Sequence, residues 1–142
     1  MNDNLYLLLR RHFPADSKAP WLVTPEGDIR YYGEIDDVTA HYAGALRRLG
    51  LQAGERLLAQ VDKSPEVLLL YLATLRLGAI FVPLNTAYTP TELAYFLNDA
   101  TPRLFVVEPK NASALQESAS VVGTTLLTLG SNGEGTLIDA VA

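Results

Sequence analysis

Residues 78–100, GAIFVPLNTAYTPTELAYFLNDA, decide the fold because a strand, a polar joint and a helix follow one another directly. The apolar run from Ala79 to Leu84 predicts a buried strand. Thr89 and Glu92 have the spacing of a capping box, which predicts a helix that ends before Pro102. A strand joined at once to a capped helix is typical of a parallel sheet flanked by helices.

The same alternation continues on both sides of this stretch. Upstream, Arg56 to Val61 predicts a second buried strand, and Ser64-Pro65-Glu66 has the residue types that open a helix, here one that ends at Leu77. The other predicted elements are a hairpin (21–24 and 28–32), an amphipathic helix (35–49), a strand (103–107), a weaker helix (111–121), a strand (124–129) and the start of a last helix (135–142). The sequence therefore predicts an α/β fold whose mainly parallel sheet is flanked by helices and preceded by an N-terminal β-hairpin.

Composition excludes several classes of function. The formal net charge of −5 argues against nucleic acid as a partner, because binding phosphates requires a basic face. Without cysteine there is no disulfide, no thiolate zinc site and no cysteine nucleophile. The apolar patch from Leu5 to Leu9 is too short for a membrane span, and the run from Val67 to Leu77 is interrupted by Arg76. We expect a soluble, cytoplasmic protein without a membrane partner.

Polar segments follow three predicted strands, at residues 62–64, 85–88 and 108–111, where an open α/β sheet usually binds its ligands. The helix starts at Ser64 and Thr89 could receive an anion, but their own caps are the favoured interpretation.

No phosphate-binding glycine motif occurs, and the glycine-rich stretch 130–135 lacks a lysine and carries Glu134, so we interpret it as a flexible turn that leads into the last helix. His12 and His41 stand alone. On these grounds the chain contains no assignable catalytic, cofactor-binding or metal-binding residue.

Residues 54–100, GERLLAQVDKSPEVLLLYLATLRLGAIFVPLNTAYTPTELAYFLNDA, resemble the N-terminal part of the acyl-adenylating enzyme superfamily, and YYGEI (31–35) and ALRRLGL (45–51) fit the same region. The resemblance covers about residues 5–142. Within that superfamily the chain looks most like malonyl-CoA synthetases, with NTAYT (85–89) and the TLG…GTL pattern (128–137) as the more particular pieces.

The resemblance implies an ATP-dependent acid–CoA ligase. A malonate-type acid would attack ATP to give an acyl-adenylate and pyrophosphate, and the thiol of CoA would then displace AMP. The superfamily's phosphate loop, which reads like TSGTTGxPKG, has no counterpart here. Residues 1–142 are therefore expected to be an N-terminal fragment of the large AMP-binding domain, without the phosphate loop and the C-terminal domain.

Such a fragment is expected to be inactive alone and to bind no cofactor itself. ATP, Mg²⁺ and CoA would serve the full-length parent, and the missing remainder of the parent chain would be the partner of this part. Apolar surface left exposed would promote self-association. Two alternatives stay open: an acyl-adenylating ligase for an aryl or fatty acid, and a stand-alone, non-catalytic α/β binding module.

Overall fold

The computed structural model describes residues 4–142, which form six strands and six α-helices. In chain order the elements are α1 (Leu5–Arg11), β1 (Pro20–Val23), β2 (Ile29–Tyr31), α2 (Tyr32–Arg48), β3 (Arg56–Gln60), α3 (Pro65–Arg76), β4 (Ile80–Pro83), α4 (Pro90–Ala100), β5 (Leu104–Val107), a 3₁₀ turn (Pro109–Asn111), α5 (Ala112–Val121), β6 (Thr125–Thr128) and α6 (Thr136–Val141). Strands β1 and β2 form the antiparallel hairpin, and the other four form a parallel sheet in the order β4-β3-β5-β6. This confirms the fold class predicted from the sequence.

The two inner strands form the centre of the core. All four residues of β5 are fully buried, and β3 pairs with it in parallel from Leu57 opposite Leu104 to Gln60 opposite Val107. Alternate residues point to opposite faces of a strand. Accordingly, Leu57 packs in an apolar cluster with α2, α3 and α6, whereas Leu58 packs in a second cluster with α4 and α5.

The order of the strands reverses between β3 and β5. From β3 the chain passes through α3 to β4 on one side, and it then returns through α4 to β5 on the other side. Helices α3 and α4 lie on opposite faces of the sheet, so the loops after β3 and β5 diverge. Divergence of this kind opens a crevice beyond the carboxyl ends of the two strands.

Most element bounds lie within two residues of their predicted positions, but two features differ. Tyr32 begins α2 instead of ending the second strand of the hairpin. Helix α1 was not predicted, although Asn4 is its cap and accepts hydrogen bonds from the backbone N–H groups of Tyr6 and Leu7. Among residues 4–142, no helix combines the length and apolar character needed to cross a membrane.

Helix α1 is held to α2 by a polar cluster around Asp36. The Tyr6 hydroxyl, itself on a residue that is 2% exposed, donates a hydrogen bond to Asp36 Oδ1. Arg10 Nε lies 2.5 Å from Asp36 Oδ2, and Arg76 Nη1 donates to the Asp36 backbone carbonyl at 3.0 Å. Burial by itself raises the pKa of Asp36, but the hydrogen bonds from Tyr6 and Arg10 outweigh it, so that the pKa lies below its ordinary value.

Replacement of Asp36 should therefore have a pH-dependent effect on stability. Since the pKa is lower in the folded state, the carboxylate stabilises the fold above its unfolded pKa, and this contribution is lost as the pH falls through the folded value. We expect Asp36→Asn to lower the free energy of unfolding at neutral pH by less than about 1 kcal/mol, because the side chain is partly solvated, and to have less effect in acid. Urea unfolding at several pH values measures this. Asp37→Asn, at the exposed neighbouring position, is the control; the same pH profile in both variants would contradict the role of Asp36.

The second apolar cluster gives a direct test of the sheet packing. Leu97 on α4 is fully buried, whereas Tyr95 on the same helix is 73% exposed. We expect Leu97→Ala to lower the free energy of unfolding by about 2–5 kcal/mol, because it leaves a cavity in the core. Tyr95→Ala should change it by less than about 0.5 kcal/mol. Equal losses in urea unfolding would contradict the assigned orientation of α4.

Candidate functional site

A cavity of about 260 Å³ lies in the crevice where the strand order reverses. Residues that follow three of the parallel strands contribute to its wall, so the topology brings together segments that are distant in sequence. They are Gln60 and Asp62 from β3 and its loop, Thr86, Tyr88, Pro90 and Leu93 after β4, and Glu108, Lys110 and Asn111 after β5. The cavity lies beyond the carboxyl ends of the parallel strands, where the sequence predicted ligand-binding segments and where this fold class usually binds its ligands.

Not every residue predicted for these loops reaches the cavity. Lys63 and Ser64 instead line a groove beneath the hairpin, together with Val23 and Leu68. Lys63 is exposed to solvent. The cavity is therefore built from parts of the three predicted segments and excludes the end of the first one.

The charges in the cavity do not favour phosphate. Glu108 is 9% exposed, and its Oε2 lies 3.1 Å from Lys110 Nζ, so the lysine charge is already paired. Asp62 adds a second carboxylate to the same wall. A surface with two carboxylates and one paired ammonium group has no net positive charge to attract an anion.

The helix starts at Ser64 and Thr89 each have a side-chain cap on an amide of the first turn. Ser64 Oγ accepts a hydrogen bond from the Val67 amide at 3.3 Å. Thr89 Oγ1 accepts from the Glu92 amide at 3.2 Å, and Glu92 Oε1 accepts from the Thr89 amide at 3.2 Å, which completes the predicted capping box. The Tyr88 ring packs against Phe96, with 5.0 Å between the ring centroids. Glu92 also places a negative charge in the first turn, where an anion would otherwise bind.

Sequence reasoning missed Gln60, which closes the floor of the site. Its side chain is 1% exposed, and Nε2 donates hydrogen bonds to the backbone carbonyls of Asn85 and Tyr88 at 2.9 and 3.0 Å. The available signal was the one polar residue in the buried part of β3, residues 57–60. A buried amide there requires hydrogen-bond partners, and the next strand's loop is within reach.

The glycine-rich stretch 130–135 forms a closed turn before α6, as interpreted from the sequence. Thr128 and Thr136 close it, since each backbone N–H donates to the other residue's hydroxyl, at 2.8 and 2.9 Å. His41 is exposed, with Nδ1 2.8 Å from the Asp37 carbonyl oxygen within the same helix. In the described part of the chain, no three acidic or histidine side chains are grouped so that they could hold a metal ion.

The chain is similar to known enzymes in both its sequence and its fold. The family model described as AMP-binding enzyme matches residues 11–139. The crystal structure of apo MatB from Rhodopseudomonas palustris matches with a TM-score of 0.94 and 42% sequence identity, over 99% of this chain and 28% of MatB. ATP-bound MatB from the same organism matches equally well.

Curated relatives carry the names of other CoA ligases. The 3-hydroxybenzoate–CoA/4-hydroxybenzoate–CoA ligase of Thauera aromatica is 36% identical over 88 residues, which are 62% of this chain and 17% of that ligase. The long-chain-fatty-acid–CoA ligase FadD13 of Mycobacterium tuberculosis is 26% identical over 125 residues, which are 85% of this chain and 25% of that ligase. The chain thus spans a quarter or less of these two relatives.

The capping box beside the cavity provides a test of the local geometry. Thr89→Ala removes the cap, and we expect it to lower the free energy of unfolding by about 1 kcal/mol. The control is Thr91→Ala on the exposed first turn of α4, where alanine is the better helix former and no stability should be lost. Urea unfolding of both variants compares them. A loss for Thr91→Ala as large as that for Thr89→Ala would contradict the assigned cap.

Proposed function

The chain belongs to the AMP-binding enzyme family, and we propose that it forms the N-terminal scaffold of the large domain of an ATP-dependent acid–CoA ligase that activates a malonate-type acid. The observation that carries the scaffold assignment is the match to MatB, at 42% identity and a TM-score of 0.94 over 99% of this chain. The malonate-type acid is proposed from the NTAYT segment, residues 85–89, because the sequence resemblance to malonyl-CoA synthetases is most particular there. Thr86 and Tyr88 of this segment line the crevice.

The proposed reaction has two steps. A carboxylate oxygen of the acid attacks the α-phosphorus of ATP, which releases pyrophosphate and leaves an acyl-adenylate. The sulfur of CoA then attacks the acyl carbon, and AMP leaves. We place this ligase in the cytoplasm.

The described residues do not fit the triphosphate or its magnesium ion. Lys110 is paired with Glu108, and Asp62 adds a further negative charge. At each of the two helix starts, a side chain caps one amide of the first turn. We therefore assign the phosphate and Mg²⁺ contacts to the remainder of the ligase and route no step through the residues of this chain.

The scaffold role accounts for an apolar groove beneath the hairpin. The groove holds about 580 Å³ and includes Leu22, Val23, Pro25, Val67 and Leu68, of which Val23 is 60% and Leu68 41% exposed. A two-stranded hairpin is marginally stable by itself. In our proposal the remainder of the ligase covers this groove, and the isolated chain self-associates through it.

One observation favours a second candidate. The hydroxybenzoate–CoA ligase of Thauera aromatica is 36% identical over 88 residues, which supports a ligase for an aryl acid. The two candidates share the fold and the two-step reaction, and they differ in the acid that is activated.

Acid-dependent release of AMP by the full-length protein tests the proposal. With ATP, Mg²⁺ and CoA present, malonate and methylmalonate should give values of kcat/KM at least about tenfold above those for 3-hydroxybenzoate and a long-chain fatty acid, since a site built for a polar acid discriminates strongly. Reactions without acid are the control. Preference for 3-hydroxybenzoate would support the second candidate instead, and absence of AMP release with every acid would overturn the ligase assignment.

A further inference from the structure

We propose that Gln60 is a positioning residue that fixes the loop of residues 85–88 as a wall of the ligand-binding crevice. The inference rests on the proposed function, because it assumes that the crevice binds part of a ligase substrate. The anchoring of the loop is inferred from the hydrogen bonds of the buried Gln60 side chain.

Gln60 ties down both ends of the loop at once. It is the last residue of β3, at the point where the strand order reverses, and it is 1% exposed. Its Nε2 donates hydrogen bonds to the carbonyl of Asn85, the first residue of the loop, and to the carbonyl of Tyr88, the last. A side-chain amide has two N–H donors, so both are used.

Inside these two anchors the loop is a compact turn. Asn85 Oδ1 accepts a hydrogen bond from the Ala87 amide at 2.8 Å, and the Tyr88 amide donates to the Asn85 carbonyl at 3.1 Å. The turn presents Thr86 and Tyr88 to the cavity. The Leu84 amide donates to the Ala59 carbonyl at 2.8 Å and holds the end of β4 against β3, and the two bonds from Gln60 extend this attachment across the turn. We infer that the bonds inside the turn open more readily when the two bonds from Gln60 are lost.

The other half of the Gln60 amide adds no hydrogen bond to the fold. In the part of the chain that the structure describes, Gln60 Oε1 is buried and accepts no hydrogen bond. A buried unpartnered carbonyl destabilises a fold, and an apolar side chain of the same size would avoid that cost. The benefit of glutamine at this position is therefore the pair of bonds that hold the loop.

Loss of the two bonds should affect binding more than chemistry. Thr86 and Tyr88 form one wall of the cavity, and Glu108 and Lys110 belong to another part of its lining. A loop that is released from β3 widens and softens the cavity, which weakens ground-state and transition-state binding alike and so raises KM while kcat changes little.

Two substitutions separate this role from a structural one. Gln60→Leu removes the two donors and the unpartnered oxygen together; the Asn85 and Tyr88 residues are exposed, so water can replace the lost donors, and the free energy of unfolding should fall by no more than about 1–2 kcal/mol. Gln60→Glu retains the shape but places carboxylate oxygens against the two loop carbonyls. Thr74→Val is the matched control, because Thr74 is a buried polar residue whose hydroxyl donates to the Leu70 carbonyl within α3, away from the loop.

The experiment measures amide hydrogen exchange and steady-state kinetics in the full-length protein. We expect the amides of Ala87 and Tyr88 to exchange about tenfold faster in both Gln60 variants, as for the loss of one to two hydrogen bonds. The KM for malonate, ATP or CoA should rise about tenfold, whereas kcat should stay within about twofold of its value in the unaltered protein. Thr74→Val should leave the exchange of these amides and the KM unchanged.

The outcomes distinguish the parts of the inference. Unchanged exchange at Ala87 and Tyr88 would overturn the anchoring by Gln60. Faster exchange with unchanged KM in an active ligase would show that the loop is no wall of the binding site, and this would overturn the positioning role while the proposed function stands. Absence of activity in the unaltered protein would overturn the proposed function and the binding role together, whereas the exchange data would still decide the anchoring.

Discussion

The parallel pairing of β3 with β5 is the interaction on which the other features of the molecule depend. The two strands are adjacent in the sheet but are separated in the chain by α3, β4 and α4. To bring them together, the chain must place α3 on one face of the sheet and α4 on the other. That placement covers both faces with helices, which allows every residue of β5 to be buried. It also parts the loops beyond β3 and β5 and so opens the crevice.

The chemistry of the crevice follows from how its loops are held. The loop after β4 is fixed from below by the Gln60 amide and from the helix side by the capping box of Thr89 and Glu92. The loop after β5 carries the pair of Glu108 and Lys110. These bonds occupy the Lys110 ammonium group and the capped amide of α4, which might otherwise bind an anion, so the site is a shaped polar wall and not a phosphate cradle. Under the proposed function, this wall contributes geometry and the phosphate contacts lie elsewhere in the ligase.

The sequence was sufficient for the strands, for helices α2 to α6 and for the fold class, because each of these signals is local. The capping box at Thr89 and the stop at Pro102 lie within one short stretch, and both are found in the structure. Helix α1 was missed because seven residues give too short a period for a pattern, and its tertiary bonds to Asp36 come from 26 to 30 residues away. Strand order and the role of Gln60 are non-local as well: the amide bonds a loop 25 to 28 residues further on, and no short window of sequence contains both partners.

The central claim, that this chain is the N-terminal scaffold of an adenylating ligase, is tested most directly by sequencing the native gene beyond the codon for Ala142. The account predicts an open reading frame that continues into a phosphate loop of the TSGTTG type within a few dozen codons, roughly the length of one or two further strand–helix units. A stop codon directly after Ala142 would contradict the account, because the scaffold would then have no phosphate loop to support.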